Sequence, residues 1–347
     1  MAARQPRTAP TKQVAMVFDL NKCMGCQTCS VACKVLWTRE EGEDYQWWCT
    51  VNTLPGKGHP KDWETMGGGY SDGGRPEPGR LPSRSEFGGG WQYNYQDVYT
   101  SQEHIALRPI DENGSTDWSP NWDEDEGGGR YPNSYFFYLP RLCNHCTRAA
   151  CLEACPRGAM YKRPQDGLVL RDEEECRGYR FCMEACPDKK VFFNLEREVS
   201  QQCIGCFPRL EKGVAPACVR QCPGRLAFIG YLDDAGGTID RLVNDWRVAL
   251  PLHPEYGTGP NVFYIPPLAP DRLNRDGSLD PATPRIPMEE LEQLFGKQVS
   301  RALKTLKAEL EKKRRGRPSE LMDTLIAYEW DELLGPYVRD PAKIRWR

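Results

Sequence analysis

The chain has 347 residues, which suggests about two domains, and its 46 basic and 49 acidic side chains give a net charge of −3. This near-balance argues against nucleic acid as the main partner, because nucleic-acid-binding proteins carry a strongly basic surface. The mean hydropathy is −0.66, and no apolar run reaches the roughly 18 residues of a membrane-spanning helix, so none is expected. Sixteen cysteines are too many for an ordinary enzyme core and leave three explanations: disulfides, zinc sites or iron–sulfur clusters.

The N-terminal region leads into the first group of cysteines. Its first ten residues, MAARQPRTAP, have no apolar segment, so we do not expect them to form a signal peptide. Residues 14–18 are apolar over the length of a strand. The run that follows, Cys-x2-Cys-x2-Cys-x3-Cys, is typical of two-cluster ferredoxins, although Lys34 stands where such a run normally has proline. The group consists of Cys23, Cys26, Cys29 and Cys33.

Residues 36–139 separate the first cysteine group from the others and are rich in Gly, Trp, Tyr and Asp. We interpret this segment as a large, mostly irregular insertion and not as a linker, because its tryptophans need burial. The acidic run at residues 123–126 is expected to be a solvated loop, with a docking surface as the alternative. Cys49 stands apart from every group and is expected to be a small buried side chain. The tryptophans concerned are Trp47, Trp48, Trp63, Trp91, Trp118 and Trp122.

Three more cysteine groups follow the insertion and repeat the plan of the first. Proline follows the last cysteine of each, at Pro156, Pro187 and Pro223, and is expected to end a short helix there. Apolar strings beside the groups predict strands at residues 134–139, 168–170, 191–193 and 227–231. The second group is Cys143, Cys146, Cys151 and Cys155, the third is Cys176, Cys182 and Cys186, and the fourth is Cys203, Cys206, Cys218 and Cys222.

The C-terminal region has the pattern of helices. Apolar residues recur mainly at three- and four-residue steps from residue 288 to about residue 315, which predicts one long helix. A second short helix is predicted over residues 319–334. The basic residues between 312 and 317 are expected to lie on a solvated face at the helix end, with a membrane surface or a partner as the alternative contact.

The number of cysteines predicts the types of cluster. Without Cys49, fifteen cysteines remain, which suits three [4Fe–4S] clusters with four thiolates each and one [3Fe–4S] cluster with three. The missing ligand lies in the third group, because Tyr179 stands where the middle cysteine of its turn would be, and a phenol is a poor ligand in iron–sulfur chemistry. Zinc also binds Cys-x2-Cys pairs, but fifteen cysteines at these spacings fit zinc badly. Disulfide frameworks are typical of small secreted domains, whereas this chain is long and is not expected to have a signal peptide.

Other side chains beside the cysteines are candidates for tuning a cluster. His145 lies inside the second turn, and we expect it to modify the surroundings of a cluster or to contact a neighbouring subunit. Arg177 and Arg180 flank Tyr179 and either donate hydrogen bonds to sulfur, which would raise the potential, or remain in solvent.

In these features the chain resembles the iron–sulfur beta subunits of the dimethyl sulfoxide reductase family of molybdenum enzymes. The resemblance is strongest to the group that contains ethylbenzene dehydrogenase, dimethyl sulfide dehydrogenase, selenate reductase and chlorate reductase, and respiratory nitrate reductase is a near relative. It extends over nearly the whole chain. The segments that carry it are residues 20–29 (LNKCMGCQTC), 121–125 (NWDED), 143–146 (CNHC), 203–209 (CIGCFPR) and 248–253 (VALPLH).

The resemblance implies an α+β fold made of two bacterial two-cluster ferredoxin-like modules, with a large irregular insertion and a C-terminal helical extension. The first module would combine residues 1–35 with residues 201–270, and residues 140–200 would form the second module. The insertion would cover residues 36–139 and the extension residues 271–347.

The resemblance also implies which cysteines share a cluster, and we name these combinations by number. The first set, Cys23, Cys26, Cys29 and Cys222, would hold a [4Fe–4S] cluster nearest the catalytic subunit. The second set, Cys33, Cys203, Cys206 and Cys218, and the third set, Cys143, Cys146, Cys151 and Cys186, would each hold a further [4Fe–4S] cluster. The fourth set, Cys155, Cys176 and Cys182, would hold the [3Fe–4S] cluster nearest a haem b subunit.

The partners implied are a catalytic alpha subunit with molybdenum bis(molybdopterin guanine dinucleotide) and a gamma subunit with haem b. Co-export with the alpha subunit to the periplasm is expected, and a cytoplasmic, membrane-associated complex is the alternative that nitrate reductase suggests. The chain itself is expected to transfer electrons and to catalyse nothing. Nitrate reductases have Trp where this chain has Tyr179.

Two alternatives remain open. In the first, the chain is a ferredoxin-type subunit of another redox complex, such as a formate dehydrogenase or a hydrogenase. In the second, it is a zinc-stabilised interaction module. The substrate of the complex, whether a hydrocarbon, steroid, dimethyl sulfide, selenate, chlorate or nitrate, and the direction of electron flow do not follow from this sequence, because that chemistry belongs to another chain.

Overall fold

The computed structural model describes residues 10–70, 74–90, 92–102, 106, 109–110, 119–121 and 126–346. Trp91, Trp118 and Trp122 and most of the acidic run at residues 123–126 lie outside these ranges. The tryptophans of the insertion that are described, Trp47, Trp48 and Trp63, are all buried, as predicted.

The centre of the molecule is a four-stranded mixed sheet built around the N-terminal strand. Strand β1 (Val14–Asp19) runs antiparallel to β10 (Ala227–Tyr231) and parallel to β12 (Val262–Ile265), and β11 (Leu250–Pro251) pairs with β12. All six residues of β1 are buried, because the strand is paired along both edges and covered on both faces. This burial explains why its sequence, VAMVFD, is a nearly continuous apolar run.

Among the residues that the structure describes, five antiparallel pairs of strands accompany this sheet. The strands predicted beside the cysteine groups are present, although the one predicted at residues 134–139 occurs at residues 137–141, because Tyr135 instead forms an isolated bridge with Gly128. The pairs are β2 (Thr50–Leu54) with β5 (Phe137–Arg141), β3 (Gln92–Tyr93) with β4 (Pro109–Ile110), β6 (Met160–Lys162) with β7 (Val169–Arg171), β8 (Val191–Asn194) with β9 (Val199–Gln202), and β13 (Asp271–Leu273) with β14 (Leu279–Pro284).

The helices before the C-terminal region are short, except the first. They are α1 (Thr28–Trp37), α2 (Arg84–Phe87), α3 (Tyr95–Thr100), α4 (Ala150–Glu153), α5 (Phe181–Ala185), α6 (Phe207–Leu210), α7 (Ala217–Arg220) and α8 (Thr238–Asp240). Helix α1 packs against α7, and α4 packs against α5.

The C-terminal region differs from the single long helix that the sequence pattern predicts. It contains α9 (Met288–Phe295) and α10 (Val299–Arg314), and α11 (Glu320–Ile326) follows, with a 3-10 turn at Trp330–Leu333. The prediction of a single helix was wrong at Gly296, which has φ +74° and ends α9. A side chain would not fit at this position, because an added Cβ would lie 2.8 Å from the Pro254 ring. The basic end of α10 is occupied by ion pairs, including those of Lys312 with Glu309 and Lys313 with Asp323.

The buried side chains form two main apolar cores. The larger core surrounds the four-stranded sheet and extends to α9, α10 and α11. A smaller core contains Met160, Val169, Met183 and Val191 and lies against cysteines of the second and third groups. Within the described ranges, no helix is long and apolar enough to cross a membrane.

Candidate iron–sulfur centres

The four cysteine turns share a left-handed residue at one position. The residue two positions after the first cysteine has a positive φ in every turn, at Gly25 (+66°), His145 (+44°), Gly178 (+65°) and Gly205 (+60°). Glycine adopts this left-handed conformation without steric cost, which explains its presence in three of the four turns. The conformation folds the turn sharply, so that its backbone N–H groups can face the sulfurs.

The end of each cysteine run follows from the presence or absence of proline. Helices α4, α5 and α7 end one or two residues before Cys155, Cys186 and Cys222, each of which precedes a proline, and this prediction is therefore confirmed. Helix α1 instead continues past Cys33 to Trp37, because Lys34 replaces the proline. The Lys34 side chain is buried, and its ammonium donates to the carbonyl oxygen of Gln46 at 3.0 Å.

The folded chain brings together the cysteines of each set. In every set, one thiol interacts electrostatically with all the other members. Cys23 does so in the first set, Cys218 in the second, Cys151 in the third and Cys182 in the fourth. Cysteines that are as far apart in sequence as Cys23 and Cys222 therefore lie at one site.

The four sets are also connected in a definite order. Cys29 of the first set interacts with Cys33 of the second, and Cys203 of the second set interacts with Cys143 of the third. Cys151 of the third set interacts with Cys182 of the fourth. The thiols thus form a series from the first set to the fourth.

The thiols are not arranged around a single metal ion. All four cysteines of the second set, together with Cys49, line one internal cavity. Among the described residues, no three His, Cys, Asp or Glu side chains lie close enough together to hold one metal ion. Zinc contacts its sulfur ligands directly at about 2.3 Å, whereas the core of a cluster fills the space between its thiolates.

Burial favours the protonated form of several of these thiols in the absence of metal. It raises the pKa of Cys23 and of Cys203 to about 12, and that of Cys182 to about 11. Each thiol must lose its proton when it binds iron, so cluster assembly releases protons.

Nitrogen donors point at several sulfurs. The indole Nε1 of Trp37 donates to Cys206 Sγ at 3.1 Å, and the backbone nitrogen of Gly205 donates to Cys203 Sγ at 3.4 Å. The backbone nitrogen of His145 lies 3.5 Å from Cys143 Sγ. Such bonds stabilise a reduced cluster, which carries more negative charge, and so raise its potential.

The third turn keeps its shape although its middle cysteine is replaced. Gly178 and Arg180 have φ +65° and +62°, which match Gly25 (+66°) and Gln27 (+59°) on either side of Cys26 in the first turn. Tyr179 therefore takes the backbone position that Cys26 has in the first turn. Its side chain is 57% exposed and stacks on Phe181, with the ring centroids 6.3 Å apart.

The neighbours of the cysteines differ partly from the expectations. His145 is buried inside the chain, where Nδ1 accepts the Val169 backbone N–H at 3.1 Å, and burial lowers its pKa to about 4, so it is neutral and does not face another subunit. Arg177 donates to the carbonyl oxygens of Glu174 and Cys176, and Arg180 covers the Phe193 ring.

Sequence reasoning missed some contacts with the sulfurs. Cys49 is buried as predicted, but its thiol also hydrogen-bonds to Cys29. Trp37 was not recognised as a sulfur donor, because its contact spans from α1 to the fourth cysteine group. No local sequence feature indicates either contact.

Comparisons with known proteins agree with this site. A family model described as a 4Fe-4S dicluster domain matches residues 134–232. The chain is 53% identical to the selenate reductase subunit beta of Thauera selenatis, over 91% of this chain and 97% of the relative. It is 52% identical to the dimethylsulfide dehydrogenase subunit beta of Rhodovulum sulfidophilum, over 93% of this chain and 98% of the relative. It is also 52% identical to the respiratory nitrate reductase subunit beta of Haloferax mediterranei, over 90% of each chain.

The matched domain model shows a ferredoxin-like 4Fe-4S fold with mixed helix and strand content. The relatives are matched over almost their full length at identities well above the level at which homologous proteins share a fold and a general role. The chain therefore belongs to the iron–sulfur beta subunits, which are the electron-transfer subunits, of the dimethyl sulfoxide reductase family of molybdenum enzymes.

Proposed function

We propose that this chain carries electrons through three [4Fe–4S] clusters and one [3Fe–4S] cluster, between a molybdenum bis(molybdopterin guanine dinucleotide) subunit and a haem b subunit. The observation that carries the proposal is the series of thiol interactions from the first set to the fourth. Fifteen of the sixteen cysteines take part in the four sets, and Cys49 remains as a buried neighbour. The clusters supply the one-electron chemistry, and the chain holds and orients them.

The exposure of the sets supports a path with two accessible ends. Cys26 in the first set is exposed, and so is Met24 beside it. At the other end, Tyr179 and Phe181 of the third turn are exposed. The cysteines of the second set, Cys33, Cys203, Cys206 and Cys218, are all buried. We assign the first set to the catalytic subunit and the fourth set to the haem b subunit.

The domain organisation proposed for this path consists of two ferredoxin-like modules. The first joins residues 1–35 with residues 201–270, and the pairing of β1 with β10 and β12 supports it, as does the packing of α1 on α7. Residues 140–200 form the second, in agreement with the smaller core and the packing of α4 on α5. Residues 36–139 and 271–347 are the insertion and the helical extension.

The reaction of the complex belongs to the catalytic subunit, and we propose that this chain has no catalytic residue of its own. Curated relatives are named for selenate, chlorate, perchlorate and nitrate reductases and for dimethylsulfide dehydrogenase. A nitrate reductase is the second candidate, because a nitrate reductase subunit beta is as similar as the others. We propose that the complex is periplasmic, because this chain is exported together with the alpha subunit. If the complex is a nitrate reductase, we propose instead that it is cytoplasmic and membrane-associated.

The first experiment is metal analysis and electron paramagnetic resonance (EPR) of the complex, purified through a tag on this chain. We expect about 15 irons from this chain, with molybdenum and haem b in the same complex and a three-iron signal in the oxidised state. About 16 irons would mean that Tyr179 does not exclude the fourth iron. Zinc in place of iron would refute the proposal.

A substitution at Tyr179 tests the assignment of the fourth set. Tyr179→Cys supplies a fourth thiol at the position that matches Cys26, so we expect conversion towards [4Fe–4S], with loss of the oxidised three-iron signal. Tyr179→Phe, which adds no ligand, is the control and should keep that signal. An unchanged oxidised spectrum in Tyr179→Cys, with the iron content also unchanged, would show that the fourth set has been assigned wrongly.

A further inference from the structure

A serine hydroxyl contacts a sulfur of the fourth set. Ser200 lies in β9, and its Oγ is 3.3 Å from the Sγ of Cys182 in α5. Helix α5 packs against β8, and β8 pairs with β9. The hairpin of β8 and β9 therefore carries this hydroxyl to a proposed ligand of the [3Fe–4S] cluster.

Both side chains of this pair are buried. Ser200 is 1% exposed and Cys182 is 7% exposed, whereas Cys155 and Cys176, the other members of the fourth set, are half-buried. Within the described part of the chain, the Ser200 hydroxyl has no other hydrogen-bond partner. Because buried polar groups in folded proteins are hydrogen-bonded, we expect the contact with Cys182 to persist when iron is bound.

The binding of iron determines the direction of this hydrogen bond. Without iron, the Cys182 thiol donates to Ser200 Oγ. A cysteine that binds a metal has lost its thiol proton, so its sulfur can only accept a hydrogen bond. A serine hydroxyl has one proton and can donate as well as accept. In the loaded protein, the hydroxyl of Ser200 must therefore donate to the sulfur of Cys182.

We propose that Ser200 is a positioning residue for electron transfer, whose hydroxyl donates to the Cys182 sulfur and raises the reduction potential of the three-iron cluster. This inference rests on the proposed function above. The reduced form of a cluster carries more negative charge, and a donor to one of its sulfurs stabilises that form. Electron transfer between the third and fourth sets moves one electron and no proton, because the hydroxyl proton stays on Ser200.

A threonine beside the first set provides a matched comparison. Thr28 Oγ1 lies 3.3 Å from Cys26 Sγ, which is the distance found between Ser200 and Cys182. Removal of the Thr28 hydroxyl takes a similar group away from a sulfur of another set. It should therefore leave the three-iron cluster unaffected.

The test is potentiometric EPR of the three-iron signal in the purified complex. In Ser200→Ala, the three-iron step should move to lower potential by about fivefold in its one-electron equilibrium constant, which corresponds to about 40 mV. The iron content should remain that of the wild type. Ser200→Thr keeps a hydroxyl and should leave the step in place, and so should Thr28→Val.

Electron–nuclear double resonance of the oxidised three-iron cluster gives a second measurement. A hydroxyl proton that is hydrogen-bonded to a ligand sulfur is coupled to the electron spin of the cluster. The wild type and Ser200→Thr should show this proton coupling, and Ser200→Ala should lack it. A purely structural role of Ser200 would leave the coupling unchanged.

The proposal is wrong if Ser200→Ala loads iron normally and leaves the three-iron step in place, or if Thr28→Val moves that step equally. If Ser200→Ala fails to assemble, the wild-type spectrum decides, because a wild-type three-iron cluster without the proton coupling would also overturn the proposal. A wild-type complex without any three-iron signal would instead refute the proposed function. The wild-type EPR spectrum therefore distinguishes the two failures.

Discussion

At the scale of single residues, Trp37 is a side-chain donor to a cysteine sulfur of the second set. Its Nε1 donates to Cys206 Sγ at 3.1 Å. One such bond contributes about 1 kcal/mol, or about 40 mV for a one-electron couple. Trp37→Phe should therefore lower the potential of one [4Fe–4S] step by about that amount in a potentiometric EPR titration.

Trp48 gives the control for this substitution. Its Nε1 donates to Gln46 Oε1 at 3.1 Å and not to sulfur. Trp48→Phe removes a comparable indole N–H, and we expect the potentials of all clusters to remain as in the wild type. Equal shifts in the two variants would show that packing, and not the bond to Cys206, determines the potential.

Cys49 tests whether fifteen or sixteen cysteines bind iron. Its thiol is buried against Cys29 but belongs to no set. Cys49→Ala should keep the wild-type iron content and lower the thermal stability slightly, because it leaves a small cavity, which costs about 1 kcal/mol. Cys29→Ala, in contrast, should lose the cluster of the first set. Loss of iron from Cys49→Ala as well as from Cys29→Ala would show that Cys49 binds iron.

At the scale of elements, the repeated turn is the unit that builds the proposed cluster sites. Gly25 has φ +66°, and an added Cβ would lie 2.5 Å from the Tyr138 ring. Gly277 has φ +84°, but nothing lies within 4 Å of its added Cβ. Gly277→Ala should lower the free energy of unfolding only by the backbone strain, about 1 kcal/mol. Gly25→Ala should also displace the turn and deplete iron from the first set, as measured by iron content and EPR. Equal loss of iron in Gly25→Ala and Gly277→Ala would contradict this role of the turn.

The turns were predictable from the sequence because every residue that shapes them is local. Cysteine spacing, glycine at the positive-φ position and proline after the last cysteine lie within a few residues of each other. The pairing of Thr50–Leu54 with Phe137–Arg141 and the parallel contact of β12 with β1 each join segments that are far apart in the chain. No short window of sequence contains these partners.

The same distinction applies to the candidate site. The series of cysteines was accessible to sequence reasoning because cysteine is rare and its spacing is informative. The contact of Ser200 with Cys182 was not, since nothing in the sequence distinguishes this serine and only the fold brings β9 to α5. The break at Gly296 was missed for a similar reason, because an apolar pattern of helical period continues across it and the Pro254 contact comes from elsewhere.

At the scale of the whole molecule, the insertion is attached to the core of the protein at several points. The backbone nitrogen of Gly69 donates to the Ala185 carbonyl oxygen, and that of Tyr70 donates to the Tyr256 carbonyl oxygen. His253 adds a charged connection, since its Nε2 lies 2.8 Å from Glu64 Oε1 of the insertion. Residues of the proposed insertion are therefore hydrogen-bonded to segments that carry the cysteine sets.

His253 should make this attachment depend on pH. Its Nδ1 lies 2.7 Å from Glu255 Oε1, and although burial acts to lower its pKa, the hydrogen bonds to Glu64 and Glu255 outweigh burial and raise it. Because the folded-state pKa is above the unfolded value of about 6.5, the stabilisation is complete below that pH and is lost as the pH rises through the folded-state pKa. His253→Gln should therefore lower the melting temperature of the intact complex more at about pH 6 than at about pH 9. Glu64→Gln should reproduce much of this difference, because it removes one of the two carboxylates. A loss that is equal at both pH values in His253→Gln would mean that the ring contributes through packing on Trp63 and Tyr256 and not through its charge.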